Sequence, residues 1–111
     1  MSKKSEITFS IELDENHVPE TIEWSASDNG EKGKCKATML TMWDENEKNT
    51  LRIDLWTKDM PVDDMKLYTY QSMITMADTF ARATGEDEIA KEMREFANKI
   101  GEKMDLVRKA N

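Results

Sequence analysis

The hydrophobic period changes once along this chain, and that change constrains the fold more than any other feature. Up to residue 57 apolar residues recur at every second position; from residue 62 they recur at every third or fourth. A strand sends alternate side chains to opposite faces, whereas a helix needs a 3.6-residue period to keep a stripe on one side. Strands grouped ahead of helices predict an α+β protein: an antiparallel sheet of about four strands in two hairpins, followed by two C-terminal helices packed on one face. A chain of 111 residues suits a single domain. Order is expected over about 6–108, with residues 1–5 and 109–111 flexible.

The strands read as follows. In residues 6–13, Ile7, Phe9, Ile11 and Leu13 alternate with Glu6, Thr8, Ser10 and Glu12. The polar stretch 14–17 turns the chain, and Ile22, Trp24 and Ala26 then share one side of a returning strand that Pro19 opens. Residues 27–33 carry Asp28-Asn29-Gly30 and a second glycine, a strong loop signal. Residues 34–43 fit either a strand, with Cys35, Ala37, Met39 and Trp43 on one face, or a helix; the hairpin pattern that follows favours a strand. After a polar connection at 44–49, Leu51, Ile53 and Leu55 alternate with Arg52, Asp54 and Trp56. Helices packed on the first of these faces would consume it.

Pro61 suits a helix start, and Asp63 and Asp64 complement the macrodipole of a helix over about 62–83. Thr84-Gly85 ends it, and Thr84 with Asp87 has the spacing of a capping box for a second helix. Along that helix Ile89, Met93, Phe96, Ile100, Met104 and Val107 form an apolar stripe, and Glu95 and Lys99 offer an i,i+4 pair.

Charge excludes several partners. The net charge is −7, with 8 basic and 13 acidic residues up to residue 60 and 8 and 10 after it, so no basic cluster exists to neutralise a phosphate backbone or an anionic membrane. Nucleic acid is excluded on this reading. No apolar run approaches a bilayer span, and no apolar segment follows Lys3 and Lys4 as a signal peptide would require. A lone cysteine permits no internal disulfide. Together these predict a cytoplasmic protein without membrane insertion.

Candidate chemistry is sparse. One histidine, His17, and one cysteine, Cys35, cannot furnish a four-ligand zinc site. Residues 44–49 (DENEKN) begin like a calcium loop, but Lys48 falls on a ligand position and Asn49 replaces the turn glycine, so a solvated hairpin turn is the better account. Lys34 and Lys36 flank Cys35 and could lower its pKa, yet a thiol that merely packs is the simpler reading. Neither dinucleotide nor P-loop glycine spacing occurs. No catalytic, cofactor or metal residues are therefore assigned, and no enzyme is predicted. Most of the nine methionines fall in or near the helices, where they fill a core or serve an adaptable surface.

The face carrying Arg52, Asp54 and Trp56 is the candidate partner-binding site. Arg and Trp are enriched at binding hot spots, and this face would meet water on a sheet covered on one side. The competing account is an arginine packed on tryptophan beside a surface ion pair with Asp54.

Residues 51–66 (LRIDLWTKDMPVDDMK), with 12–16 (ELDEN) and 18–20 (VPE) upstream and 76–84 (MADTFARAT) downstream, resemble the gliding motility-associated GldC family. The resemblance runs from Ser5 to about Leu106 and is poorest over 26–37. It implies a small cytoplasmic accessory of gliding motility in Bacteroidota, and it brings no catalytic motif with it. The expectation is a non-enzymatic protein acting through other proteins, gliding machinery components among them. The alternative is a self-assembling, chaperone-like scaffold for envelope or secretion machinery, in which the chain forms a homo-oligomer.

Overall fold

The structure, a computed structural model, describes residues 3–108. Of the ends expected to be flexible, residues 1–2 and 109–111 lie outside the described residues. Lys3–Ser5 are irregular and exposed, with the Ser5 hydroxyl donating to Asp28 and Ser27 Oγ accepting from the Glu6 N–H at 2.8 Å. The chain divides into a strand unit ending at Met60 and a helical unit starting at Pro61.

The strand unit contains β1 (Ile7–Leu13), β2 (Pro19–Ala26), β3 (Lys32–Cys35), β4 (Ala37–Asp44) and β5 (Asn49–Trp56). Strands β1–β2–β3 form one antiparallel sheet and β4–β5 a second. The α+β arrangement of hairpins followed by two helices is as expected, with five strands in two sheets where about four were predicted. The extra strand is β3. Residues 34–43 are indeed extended, but the extension starts earlier and divides into β3 and β4 at Lys36. Lys36 is the point where one run of chain leaves its partner β2 and joins β5; the ladder carries on there, with the Thr57 N–H donating to the Lys36 carbonyl at 2.8 Å.

Cross-strand register explains which residues are buried. Phe9, Trp24 and Gly33 stand opposite one another, as do Ile11, Ile22 and Cys35. Directly opposed residues share a face, so these rows make the apolar side and Thr8, Ser25, Lys32, Ser10, Glu23 and Lys34 the polar side. Ile22 is the largest side chain with no solvent exposure among the described residues. Gly33 suits its neighbour: a Cβ there would lie 3.0 Å from the Trp24 Nε1, a tight contact. Sequence alone assigned Gly33 to a loop because glycine weakens strands; here it makes room for an indole.

The helical unit is α1 (Val62–Thr84) and α2 (Asp87–Lys103). Asp63 and Asp64 occupy the first turn of α1, and Gly85 ends it in the left-handed region at φ 74°. The predicted capping box does not form. Thr84 Oγ1 donates to the Phe80 carbonyl and accepts from the Glu86 N–H, so it closes α1 and leaves Glu86 as the uncapped N-cap of α2.

The predicted stripe is met in part: Met93 and Ile100 on α2, and Met104 and Val107 beyond it, are half-buried. The buried residues there are instead Ala90, Ala97 and Gly101, while Ile89 and Phe96 are 46% and 56% exposed. Each buried residue follows a predicted one by a single position, a rotation of about 100° around the helix. Size decides the difference, because small residues let helix backbones approach closely, and here the Tyr70 ring occupies the space beside Gly101. Polar ties hold the two helices in register: Tyr70 donates to Asn98 Oδ1 at 2.7 Å, and Arg94 reaches Asp78 at 2.9 Å. The predicted Glu95–Lys99 pair is absent from the ion pairs among the described residues.

Candidate functional site

Strand β5 places Arg52, Asp54 and Trp56 on one face, as its alternation requires. Arg52 Nε donates to both oxygens of Asp54, at 2.9 and 2.7 Å, and its Nη2 lies 3.4 Å from the sulfur of Met39. Trp56 is 56% exposed. The β4–β5 register adds residues from the neighbouring strand: Ala37 opposes Trp56, Met39 opposes Asp54, Thr41 opposes Arg52 and Trp43 opposes Thr50. The face is therefore a band with a tryptophan near each end and an ion pair with a methionine between them. Trp43 is 66% exposed. Positions 37 and 43 lie about 20 Å apart along an extended strand.

Sequence reasoning grouped Trp43 with Ala37 and Met39 but did not join that row to Arg52 and Trp56. The signal was the hairpin turn. Asp44 closes it: its Oδ2 accepts from the Glu47 N–H at 2.7 Å, and its carbonyl accepts from the Lys48 N–H at 2.9 Å. Counting outward from an Asp44–Asn49 closing pair gives the whole register. This use of Asp44 is that of a hairpin turn. No group of three or more His, Cys, Asp or Glu among the described residues is placed to hold a metal ion.

The opposite face of the hairpin differs from expectation. Leu51 and Ile53 are 49% and 47% exposed, Met42 is 45% exposed, and only Leu55 on this side of β5 is half-buried. Apolar alternation marked this face for a core, but a two-stranded ribbon has little of its own to cover either side.

A cleft of about 380 Å³ adjoins Trp56, lined by His17, Val18, Pro19, Asp54, Leu55 and Lys58. Its far wall is the β1–β2 turn, which Asp14 organises. Asp14 Oδ1 accepts from the N–H groups of Asn16 and Val18 at 2.8 and 3.0 Å, and this holds His17 at φ 62°. Asp14 Oδ2 accepts from Lys58 Nζ at 3.0 Å, and Lys58 also reaches Glu20 at 3.6 Å. The Lys58 N–H donates to the Pro19 carbonyl at 3.3 Å. Lys58 thus clasps the turn to the end of β5 and fixes both walls of the cleft.

The clasp is pH-sensitive in both directions. The Val18 N–H and then the Lys58 ammonium hold the Asp14 carboxyl below its ordinary value, while Asp14 holds Lys58 above its own. A lowered carboxyl adds stability that is complete above its unfolded pKa and lost as pH falls through the folded value. A raised amine adds stability that is complete below its unfolded pKa and lost as pH rises through the folded value. The clasp is complete between about pH 5 and about pH 9. Asp14→Ala is expected to lower the melting temperature by several degrees at neutral pH, with the deficit shrinking near pH 3 (about one unit below the ordinary carboxylate value). Melts of both proteins at the two pH values check this; an undiminished deficit in acid would contradict it.

Cys35 is half-buried, and burial pushes its thiol up, opposite to the activation considered from Lys34 and Lys36. Strand alternation is the reason, since it turns both lysines to the other face. No helix among the described residues is long and apolar enough to cross a membrane.

The family model described as gliding motility-associated protein GldC-like matches residues 19–106. The match takes in β2 through α2 and includes the stretch 26–37, where the resemblance read from sequence was poorest. It begins later than that resemblance, leaving β1 outside. No curated protein and no solved structure shows significant similarity to the chain.

Proposed function

This chain belongs to the GldC-like family of gliding motility-associated proteins, and from that membership we propose that it is a non-enzymatic cytoplasmic accessory that works by binding another protein of the gliding machinery. The observation that supports this reading is the exposed band on the β4–β5 hairpin. Two tryptophans, each more than half exposed, flank the Arg52–Asp54 pair and Met39 on one side of a two-stranded sheet. Tryptophan and arginine carry a disproportionate share of energy in protein interfaces because they bury large areas while keeping a polar handle. An exposed ion pair adds little stability to the chain itself, so its value on this band lies in orienting a partner. The Trp56 cleft supplies a recess next to the band, as an anchor side chain requires.

The double variant R52A/W56A removes only exposed groups and is expected to melt within a degree or two of the parent. Tagged in its native host, the parent should retain a component of the gliding machinery and the double variant should lose most of it. A control, K34A, alters the polar side of the other sheet and should retain it. Equal retention by all three proteins would remove this band as the binding site.

A further inference from the structure

We propose that α2 is the seam of a symmetric homodimer, packing antiparallel against α2 of a second copy about a two-fold axis that crosses it between Arg94 and Glu95. This goes beyond the partner-binding reading and does not rest on it, because the seam lies in the helical unit and uses no residue of the β4–β5 band. Ile89, Met93, Phe96 and Ile100 follow steps of four, three and four, the spacing of a coiled-coil seam. The buried row of Ala90, Ala97 and Gly101 serves α1, and the stripe is turned away from it, with Ile89 and Phe96 about half exposed. Helix α1 adds to the same side. The Tyr70–Asn98 and Arg94–Asp78 ties lie on one side of the α1–α2 contact, and Met76 and Phe80 fall on the other, with the stripe; Met76 is itself 56% exposed. A continuous apolar patch along two helices marks an interaction surface.

Charge identifies the occupant as a second copy. About this axis Ile89 layers on Ile100 of the second copy and Met93 on Phe96, each layer occurring twice. The residues that flank the stripe on the side away from α1 are Glu92 and Lys99. The axis brings Glu92 of each copy beside Lys99 of the other, the pairing that flanks an antiparallel coiled-coil seam. The next layer outward sets Glu86 against Lys103, again twice. All four of these side chains are exposed, and none takes part in an ion pair among the described residues.

Charge also selects this register over its neighbours. Sliding the second copy by one heptad opposes Glu92 to Glu92 in one direction and Lys99 to Lys99 in the other. A parallel pair would set both charges beside Ala97 and Met104, where they meet no opposite charge. The paired face is large enough: α2 is about 25 Å long and the two helices together are about 20 Å wide, so about 500 Å² is covered on each copy. That reaches the ~1,000 Å² total of a specific interface. Apolar layers drive association, and the charges set direction and register.

Sedimentation equilibrium over a micromolar concentration series should return about twice 12.9 kDa for the parent. Phe96→Asp puts a carboxylate into both central layers and should leave a monomer at the same concentrations, with helical content by circular dichroism retained. Glu92→Lys alone and Lys99→Glu alone each place like charges together at both symmetric contacts, and each should weaken the dimer about tenfold. An equimolar mixture of these two variants should recover the parent's affinity as a mixed dimer, since every acidic position then meets a basic one. The swap variant E92K/K99E should dimerise like the parent by itself, which tests the register even if a single variant fails to fold. A monomeric parent would assign the stripe to some other cover and overturn the proposal. Single charge variants that dimerise like the parent, or a folded swap variant that stays as weak as they are, would overturn it too. None of these outcomes touches partner capture, which is read on R52A/W56A.

Discussion

Ile22→Ala is expected to destabilise the protein by about 3 kcal/mol, within the 2–5 kcal/mol that large-to-small core replacements cost. Ile22 sits mid-way along β2 between Ile11 on one neighbour and Cys35 on the other, and it has no exposure. Few side chains share its burden: the other fully buried apolar residues among those described are alanines at 77, 90 and 97. Flanking strands cannot close over the lost methyl groups without breaking their ladders, so most of the cavity persists. Total stabilities of small domains are only about 5–15 kcal/mol, so the loss is a large share. Urea unfolding followed by tryptophan fluorescence would measure it, and Ile22→Val should cost about 1 kcal/mol. A loss under 1 kcal/mol for the alanine variant would show that the sheet core lies elsewhere.

Gly101→Val is expected to cost the helical unit about 2–3 kcal/mol through overpacking. A Cβ at this position would already lie 2.7 Å from Val107 Cγ2 and 2.9 Å from the Tyr70 ring. Valine adds two further carbons, and its stiff χ1 leaves little choice of where they go. Its better helix propensity returns only a few tenths of a kcal/mol. The Tyr70 ring cannot swing away freely, because its hydroxyl is bonded to Asn98. Thermal melts by circular dichroism would read the loss. A rise in melting temperature would mean that propensity outweighs the contact.

These two positions also mark what the sequence does and does not reveal. The alternation in β1, β2 and β5 was legible because one polar and one apolar row leave a plain pattern, and Ile22 lay on the apolar row. The start of β3 was hidden: Lys32 and Gly33 read as loop, whereas Lys34 and Cys35 already lay in the expected strand, and the first two are extended because β2 offers them a ladder, with Gly33 leaving room for the Trp24 indole. Gly101 was hidden for a related reason. Period counting finds the large apolar residues, whereas the seam between α1 and α2 belongs to the small ones beside them. Of the candidate site, Arg52, Asp54 and Trp56 were readable from β5 alone. Trp43 needed the hairpin register, and the Trp56 cleft needed a contact between residues 14 and 58 that no local pattern encodes.

That contact spans 44 residues, and it has a consequence for synthesis. As the nascent polypeptide leaves the ribosome, the segment containing Asp14 emerges long before Lys58 does. The first two ribbons can meet early, but their connecting bend stays unlatched until nearly all of the strand unit has been translated. A messenger truncated just before the Lys58 codon would therefore yield ribbons without their fastening, and the last few residues of the strand unit determine when the recess beside Trp56 takes shape.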